Sequence, residues 1–379
     1  MTESNLLTPA AKADIQGFLT SGFGHLPHSA YLFVALHERS GARQWLQQLL
    51  QHVTASESWR RQPGAPKQKP LRTLNVAFTY PGLAALGLSP AALRTFPEEF
   101  RLGMAHTSRA HILGDTGASA PANWELGGPQ NEPLHALLIL NAETEAELAT
   151  SCDEQRRLLE ETAGAVSEQV RSTQHGARSV SGTEHFGFFD GVAQPQIEGI
   201  KGEGIRTGEF IFGYQNEYGF FPAGPIVPAT DDYQRILPVS ANPFHRSAGY
   251  RDLGMHGSFV VYRKLAQDVA AFWRFLGEES VRRHGAADPQ FMVWLAAKMV
   301  GRWPSGVPLI LAPETDRSDL PDQAQLRSDD FLYARSDPYG LVCPFGSHIR
   351  RTNPRDQIGR TLPQERLGIA LGAYAQAAA

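Results

Sequence analysis

One segment of the chain combines an acidic residue with several aromatic rings. The run EHFGFFDGVAQPQIEG covers residues 184–199 and contains Asp190. Three phenylalanines accompany this acid: Phe186, Phe188 and Phe189. Apolar rings around a carboxyl group disfavour its charged form and raise its pKa towards the range used in proton transfer. Gly187 and Gly191 would let the backbone come close to a flat group. The segment predicts an acid–base site at Asp190, and the alternative is an ordinary Asp-Gly turn.

A second segment combines a histidine with several arginines. The run CPFGSHIRRTNPRD covers residues 343–356 and contains His348. The arginines that follow the histidine are Arg350, Arg351 and Arg355. Guanidinium groups match carboxylates well, so an anionic partner is expected here. A planar cofactor with an imidazole-ligated metal and peripheral carboxylates would need such a set, whereas a lone structural histidine is the alternative.

Other chemistries find no support in the sequence. There is no HExxH zinc motif, no GxxxxGK[ST] phosphate loop, no GxGxxG after a strand and no GxSxG elbow. The chain has 35 Lys and Arg residues against 39 Asp and Glu, a net charge of −4, which argues against nucleic-acid binding. The N-terminus shows no secretory signal, and no apolar stretch would span a bilayer. We therefore expect a cytoplasmic protein without a membrane partner.

Regular elements must position these two segments, and the first half of the chain shows them in alternation. The pattern predicts strands and helices in this order: strand 31–36, helix 42–53, strand 74–78, strand 134–141, helix 144–162 and strand 165–171. Between the third and fourth elements lies a long excursion, residues 80–133. The order is the split β-α-β pattern of a ferredoxin-like module.

The second half of the chain begins in a similar way. Alternation predicts a strand at Gly257–Lys264, and helical spacing predicts helices at Gln267–Leu276 and Pro289–Val300. We therefore expect an α+β protein with two ferredoxin-like modules, each an antiparallel sheet with helices, of which the second is incomplete at its C-terminus. The predicted parts are an N-terminal extension (1–24), a first module (25–175) and a second module with a long structured loop region (176–379).

The chain resembles a known family at several places. GFFDG at residues 187–191 fits the GxxDG signature of the dye-decolourising peroxidases. Further blocks resemble that family in the same order: LNVAFTYPGLAALGL (74–88), FPEEFRLGMAHTSRAHILGDTG (96–117), GEFIFGYQNEYG (208–219), GSFVVYRKLAQDVAAFW (257–273), AAKMVGRWPSGVPLIL (296–311) and CPFGSHIRRTNPRD (343–356). The resemblance covers about residues 25–356.

This resemblance implies a haem b enzyme, with the haem in the second module. By the match, His348 is the proximal iron ligand. Asp190 takes a proton from bound hydrogen peroxide and returns it to the leaving oxygen. The residues expected to bind the cofactor are His348, Arg206, Arg350, Arg351, Gly187 and Gly191. The expected partners are hydrogen peroxide and small aromatic reductants, phenolic or dye-like, and a homo-oligomer remains open.

The sequence departs from the family after the NPR block. Members normally continue into a strand with a distal arginine in an RRG-like context, but residues 353–379 contain no such motif. Losing that positive charge would weaken stabilisation of peroxide cleavage by about a few kcal/mol. Two alternatives to a peroxidase therefore stay open: a haem-binding or carrier protein with little turnover, and a haem-free truncated homologue.

Overall fold

The computed structural model describes residues 7–56, 70–169, 174–177, 182–189, 197–200, 204–317 and 331–352. Their contacts divide them into two units, which we describe separately. The first unit lies within Met1–Arg178 and Gln196–Tyr262, and the second within Ser179–Pro195 and Arg263–Ala379. No helix in the described ranges has both the length and the apolar character needed to span a lipid bilayer.

The first unit is built on an antiparallel sheet. Its strands are β1 (His28–Leu36), β2 (Arg72–Phe78), β3 (Ala136–Ala142), β4 (Val166–Glu168) and β5 (Gln174–Ala177). Their order is β2-β3-β1-β4, and β5 also pairs with β1. The helices of this unit are α1 (Pro9–Asp14), α2 (Arg39–Leu49), α3 (Tyr80–Ala85), α4 (Pro90–Leu93), α5 (Glu98–Leu102), α6 (Thr107–Leu113), α7 (Glu145–Glu160) and α8 (Pro243–Ser247). With α2 after β1 and α7 after β3, this is the split β-α-β arrangement that the alternation predicts, so the antiparallel α+β prediction is confirmed.

The core of this unit lies where α2 and α7 cover one face of the sheet. Leu32 of β1 stands opposite Leu138 of β3, which in turn stands opposite Val76 of β2. Trp45 from α2 is completely buried in the same cluster, together with Leu148 from α7. Period-two alternation in the strands and helical spacing in α2 and α7 bring these side chains to one layer. Each buried aliphatic side chain contributes about 1.5–3 kcal/mol to folding.

Residues 204–262 also pack within the first unit, whereas the sequence places them in the second module. Thr95, at the end of α4, donates its hydroxyl to the carbonyl of Ile226 and accepts the backbone N–H of the same residue, both at 3.0 Å. Ile15 is buried in one cluster with Ile211. A small sheet forms here from β6 (Ile226–Pro228) and β7 (Tyr250–Asp252). The contact of Thr95 with Ile226 and the burial of Ile15 with Ile211 join residues more than a hundred positions apart, so no local pattern indicates them.

In the second unit, the described residues form helices and loops. The helices are α9 (Val269–His284), α10 (Pro289–Val300), α11 (Tyr333–Ser336) and α12 (His348–Thr352). The bounds of α10 agree with the prediction, and α9 continues beyond the predicted end because Gly285 first provides the left-handed C-cap. The segment 353–379 lies outside the described residues, so the incomplete second module stays a prediction.

The strand predicted at Gly257–Lys264 is wrong. These residues have no ladder partner among the described residues of the chain. Instead, Phe259 packs edge-on against Phe212, with ring centroids 4.9 Å apart, and Tyr262 packs against Tyr31 at 5.3 Å. Alternating hydrophobicity in a sequence indicates only which side chains would face the same way. A strand also needs a neighbouring backbone for its N–H and C=O groups.

Candidate functional site

The segment that precedes Asp190 is fixed by hydrogen bonds to the side chain of Glu184. The carboxylate of Glu184 accepts the backbone N–H groups of Phe186 and Phe188, both at 2.8 Å. The backbone N–H of Phe189 donates to the carbonyl of Pro304 at 3.0 Å. Asp190 and Gly191 lie outside the described residues. The chain is therefore anchored up to the residue before the predicted acid.

The phenylalanines of this segment form an apolar patch with α9 and α10. Phe188 is 3% exposed and packs in one cluster with Leu276 and Ala296. The ring of Phe186 contacts Phe272 edge-on, with centroids 5.1 Å apart. These contacts fix the segment to the two long helices of the second unit. The apolar surroundings expected for Asp190 stay a prediction, because that residue lies outside the described residues.

Gly187 lies in the turn of the same segment. Its φ of +97° falls in the left-handed region, which favours glycine over every residue with a side chain. A Cβ placed there would meet no atom within 4 Å. The turn conformation thus accounts for a glycine at this position, and close approach to a flat cofactor stays a prediction for both Gly187 and Gly191.

His348 is the first residue of α12. Its side chain is exposed, whereas Ser347 before it and Ile349 after it are buried. The helix lies close to Gly301, which follows α10: a Cβ added to Gly301 would come within 2.4 Å of Cγ1 of Ile349. The φ of Gly301 is +94°, in the left-handed region. Ile349 thus anchors the helix on the apolar core of the second unit, whereas His348 is exposed.

The two arginines on the same short helix have different surroundings. Nη1 of Arg350 lies 3.1 Å from Oδ2 of Asp337, and the two side chains are only 10% and 3% exposed. Arg351 is exposed. Both were predicted to bind cofactor carboxylates, and the structure already provides a buried carboxylate for Arg350.

Arg206, the third predicted arginine, belongs to the first unit. It is half-buried, and its backbone N–H donates to Oε1 of Glu217 at 2.9 Å. It precedes a single 3₁₀ turn, Thr207–Glu209. The second unit thus contains Gly187, His348, Arg350 and Arg351, and α12 brings the last three together. The roles predicted for all of these residues remain predictions.

Comparison with known proteins finds a matching domain family and several similar proteins. A sequence model of the DyP dimeric alpha+beta barrel domain matches residues 14–178. The chain is 28% identical to a dye-decolorizing peroxidase of Exidia glandulosa, over 96% of this chain and 66% of that protein. It is 29% identical to one of Auricularia auricula-judae, over 92% of this chain and 61% of that protein. The chain thus matches the DyP dimeric alpha+beta barrel domain over residues 14–178, and it is similar to dye-decolourising peroxidases over most of its length.

Solved structures of dye-decolourising peroxidases share the fold. A fungal DyP-type peroxidase from Auricularia auricula-judae gives a TM-score of 0.65 at 24% identity and covers 93% of this chain and 70% of that chain. A dye-decolorizing peroxidase in complex with 2,6-dimethoxyphenol gives a TM-score of 0.66 at 20% identity, and the match covers 97% of this chain and 78% of that chain. The chain spans 50% of the Mycena epipterygia relative that it also matches.

Sequence reasoning missed two residues that organise this chain locally, Glu184 and Asp337. Glu184 lies in the quoted motif, and its spacing to Phe186 allows a side chain to accept nearby backbone N–H groups. Asp337 precedes a proline, a common turn signal. Its pairing with Arg350, thirteen positions later, had no such signal.

Proposed function

We propose that this protein is a haem-dependent peroxidase that uses hydrogen peroxide to oxidise phenolic or dye-like electron donors. The observation that carries the proposal is the exposed imidazole of His348 at the start of an anchored helix, in a chain similar to dye-decolourising peroxidases. The relatives that cover most of this chain are named peroxidases. No observation among the described residues favours a carrier or a haem-free remnant.

The donor set fits haem. Among the described residues there is no group of three or more His, Cys, Asp or Glu side chains that would hold a metal ion by itself. A single exposed imidazole suits an iron whose other ligands come from a porphyrin ring. We propose haem b held by His348, with the exposed Arg351 as a partner for a carboxylate of the cofactor. The role predicted for Arg206, which belongs to the first unit, stays a prediction.

When bound, haem supplies the iron that exchanges electrons with peroxide and donor. His348 contributes a neutral imidazole, the form in which histidine binds a metal. Asp190 accepts a proton from one oxygen of hydrogen peroxide and gives it to the other oxygen, which leaves as water. Three phenylalanines precede Asp190 in the sequence, and apolar rings beside a carboxyl group exclude water and favour its neutral form.

We also propose a cytoplasmic location. The support is that Cys152 and Cys343 are both buried and form no disulfide, as is usual in a reducing compartment.

The substitution Asp190→Ala tests the proposed function. On the haem-loaded chain, we expect stopped-flow absorbance to show peroxide activation slowed by about 10²–10⁴-fold, the usual effect of a lost general acid–base group. Oxidation of 2,6-dimethoxyphenol should fall in parallel, while haem binding stays nearly unchanged.

The control is Asp153→Ala, which removes an exposed carboxylate on α7. It should react with peroxide at the wild-type rate. A wild-type rate in Asp190→Ala would leave this aspartate as a turn residue. A haem-loaded wild-type chain that does not turn over would instead support the carrier alternative.

A further inference from the structure

The loop before His348 is closed by one buried carboxylate. Oδ1 of Asp337 accepts the backbone N–H groups of Leu341 and Val342 at 2.7 and 3.2 Å, and Oδ2 accepts that of Cys343 at 2.8 Å. The same Oδ2 atom accepts Nη1 of Arg350 at 3.1 Å. These four donors stabilise the charged form of a carboxylate that is removed from water.

The guanidinium of Arg350 makes both hydrogen bonds and aromatic contacts. Nη1 also donates to the carbonyl of Cys343 at 2.7 Å, and Nη2 donates to the carbonyl of Asp337 at 3.0 Å. The aromatic rings of Tyr333 and Phe345 lie 4.2 and 4.4 Å from its central carbon. The planar group is thus bonded in its plane and stacked on its faces, an arrangement that lysine does not reproduce.

These contacts tie the loop 337–343 to α12 two residues beyond His348. We propose that Asp337 and Arg350 are positioning residues: their ion pair, which we call the clasp, fixes α12 so that the imidazole of His348 is presented to haem. Arg350 then leaves the cofactor carboxylate to its exposed neighbour Arg351. This inference rests on the proposed function, because it assigns His348 as the iron ligand.

Two probes separate positioning from carboxylate binding: haemin, and haemin dimethyl ester, whose carboxylates carry no charge. Each is titrated into the full-length chain and followed by its Soret absorbance. We expect Arg350→Met to weaken both probes equally, by about 10–100-fold, the effect typical of a residue that orients a metal ligand. Asp337→Asn should do the same. Arg351→Met is the matched control, and it should weaken haemin binding but not ester binding.

Spectroscopy of the iron supplies a second readout. In Arg350→Met the resonance Raman band of the iron–histidine bond should weaken or shift, and added imidazole should restore the absorbance spectrum of wild type. Arg350→Lys should recover only part of the affinity, because it keeps the charge but loses the planar fork. If Arg350→Met weakens haemin but leaves the ester unaffected, Arg350 binds a carboxylate and the clasp proposal is overturned. Unchanged affinity for both probes overturns it as well.

Failure of the proposed function is distinguishable from failure of the clasp. If the wild-type chain binds neither probe, the proposed function fails. The clasp is then tested by amide exchange in the haem-free chain: Asp337→Asn should speed exchange at Leu341, Val342 and Cys343 and in α12. Exchange in α10 reports whether the second unit of the variant is folded. Unchanged exchange at the three loop positions and in α12, with α10 protected, overturns the clasp.

Discussion

At the scale of single residues, Asp337 shows how hydrogen bonds outweigh burial. Burial by itself raises the pKa of a carboxyl group, but the backbone N–H groups of residues 341–343 and the charge of Arg350 act in the opposite direction. The net result is a pKa for Asp337 below its ordinary value. Its charged form is therefore favoured by the fold, and the clasp depends on that charge.

This lowered pKa predicts how the second unit responds to acid. A carboxyl group with a lowered pKa in the folded state stabilises the fold above its unfolded pKa and loses that contribution as the pH falls. The free energy of opening of α12, measured by amide exchange, should thus be higher in wild type than in Asp337→Asn at pH 6. The difference should shrink as the pH falls from about 5 to below about 4. A difference that is the same at both ends of this range would show that the charge of Asp337 contributes nothing.

The sequence also indicates how far such residues can be predicted. The phenylalanines that precede Asp190 and the arginines that follow His348 can be read from residue types within a few positions of each other. The clasp depends on two residues thirteen positions apart, and nothing in their local pattern says that they meet. Local residue types therefore predict a cofactor partner at Arg350, whereas the tertiary structure pairs it with the buried carboxylate of Asp337.

At the scale of elements, the strand predictions that are confirmed are those for which a neighbouring strand is present. β1 and β3 contain continuous apolar runs and β2 alternates in hydrophobicity; all three find backbone partners, and their bounds lie within a few residues of those predicted. The segment 257–264 alternates as well, but its aromatic side chains pack on other rings without a ladder. Side-chain periodicity predicts burial, and only the tertiary arrangement decides whether a neighbouring strand is present.

The contact of Phe188 with α9 and α10 leads to a prediction at this scale. Phe188→Ala should lower the free energy of unfolding of the second unit by about 3–5 kcal/mol, because it leaves a cavity beside Leu276 and Ala296. The measurement is urea unfolding followed by amide exchange in α9 and α10.

Phe275→Ala is the matched control, since Phe275 lies on α9 and is 50% exposed. It should cost less than about 1 kcal/mol. Equal losses for the two variants would mean that Phe188 does not anchor its segment to these helices.

At the scale of the whole molecule, the division into two units predicts a local response to the cofactor. His348 and the segment that leads to Asp190 both belong to the second unit. A ligand that binds only the folded state stabilises it, and at 100 times its Kd the gain is about 2.7 kcal/mol. Haemin at that concentration should raise the free energy of unfolding of α9, α10 and α12 by this amount.

Urea-dependent amide exchange of the full chain, with and without haemin, measures this gain for each element. The strands of the first unit serve as the internal reference. Protection that increases in β1 and β3 while α12 stays unchanged would place the cofactor away from His348 and contradict the account.

The most direct test of the central claim is a haemin titration of the full chain followed by its Soret absorbance, for wild type, His348→Ala and the control His185→Ala. The account predicts saturation near one haemin per chain and the spectrum of histidine-ligated iron for wild type and His185→Ala. His348→Ala should lose that spectrum and regain it with added imidazole. Identical titrations of wild type and His348→Ala, or no saturable binding by wild type, would contradict the assignment of His348 as the iron ligand.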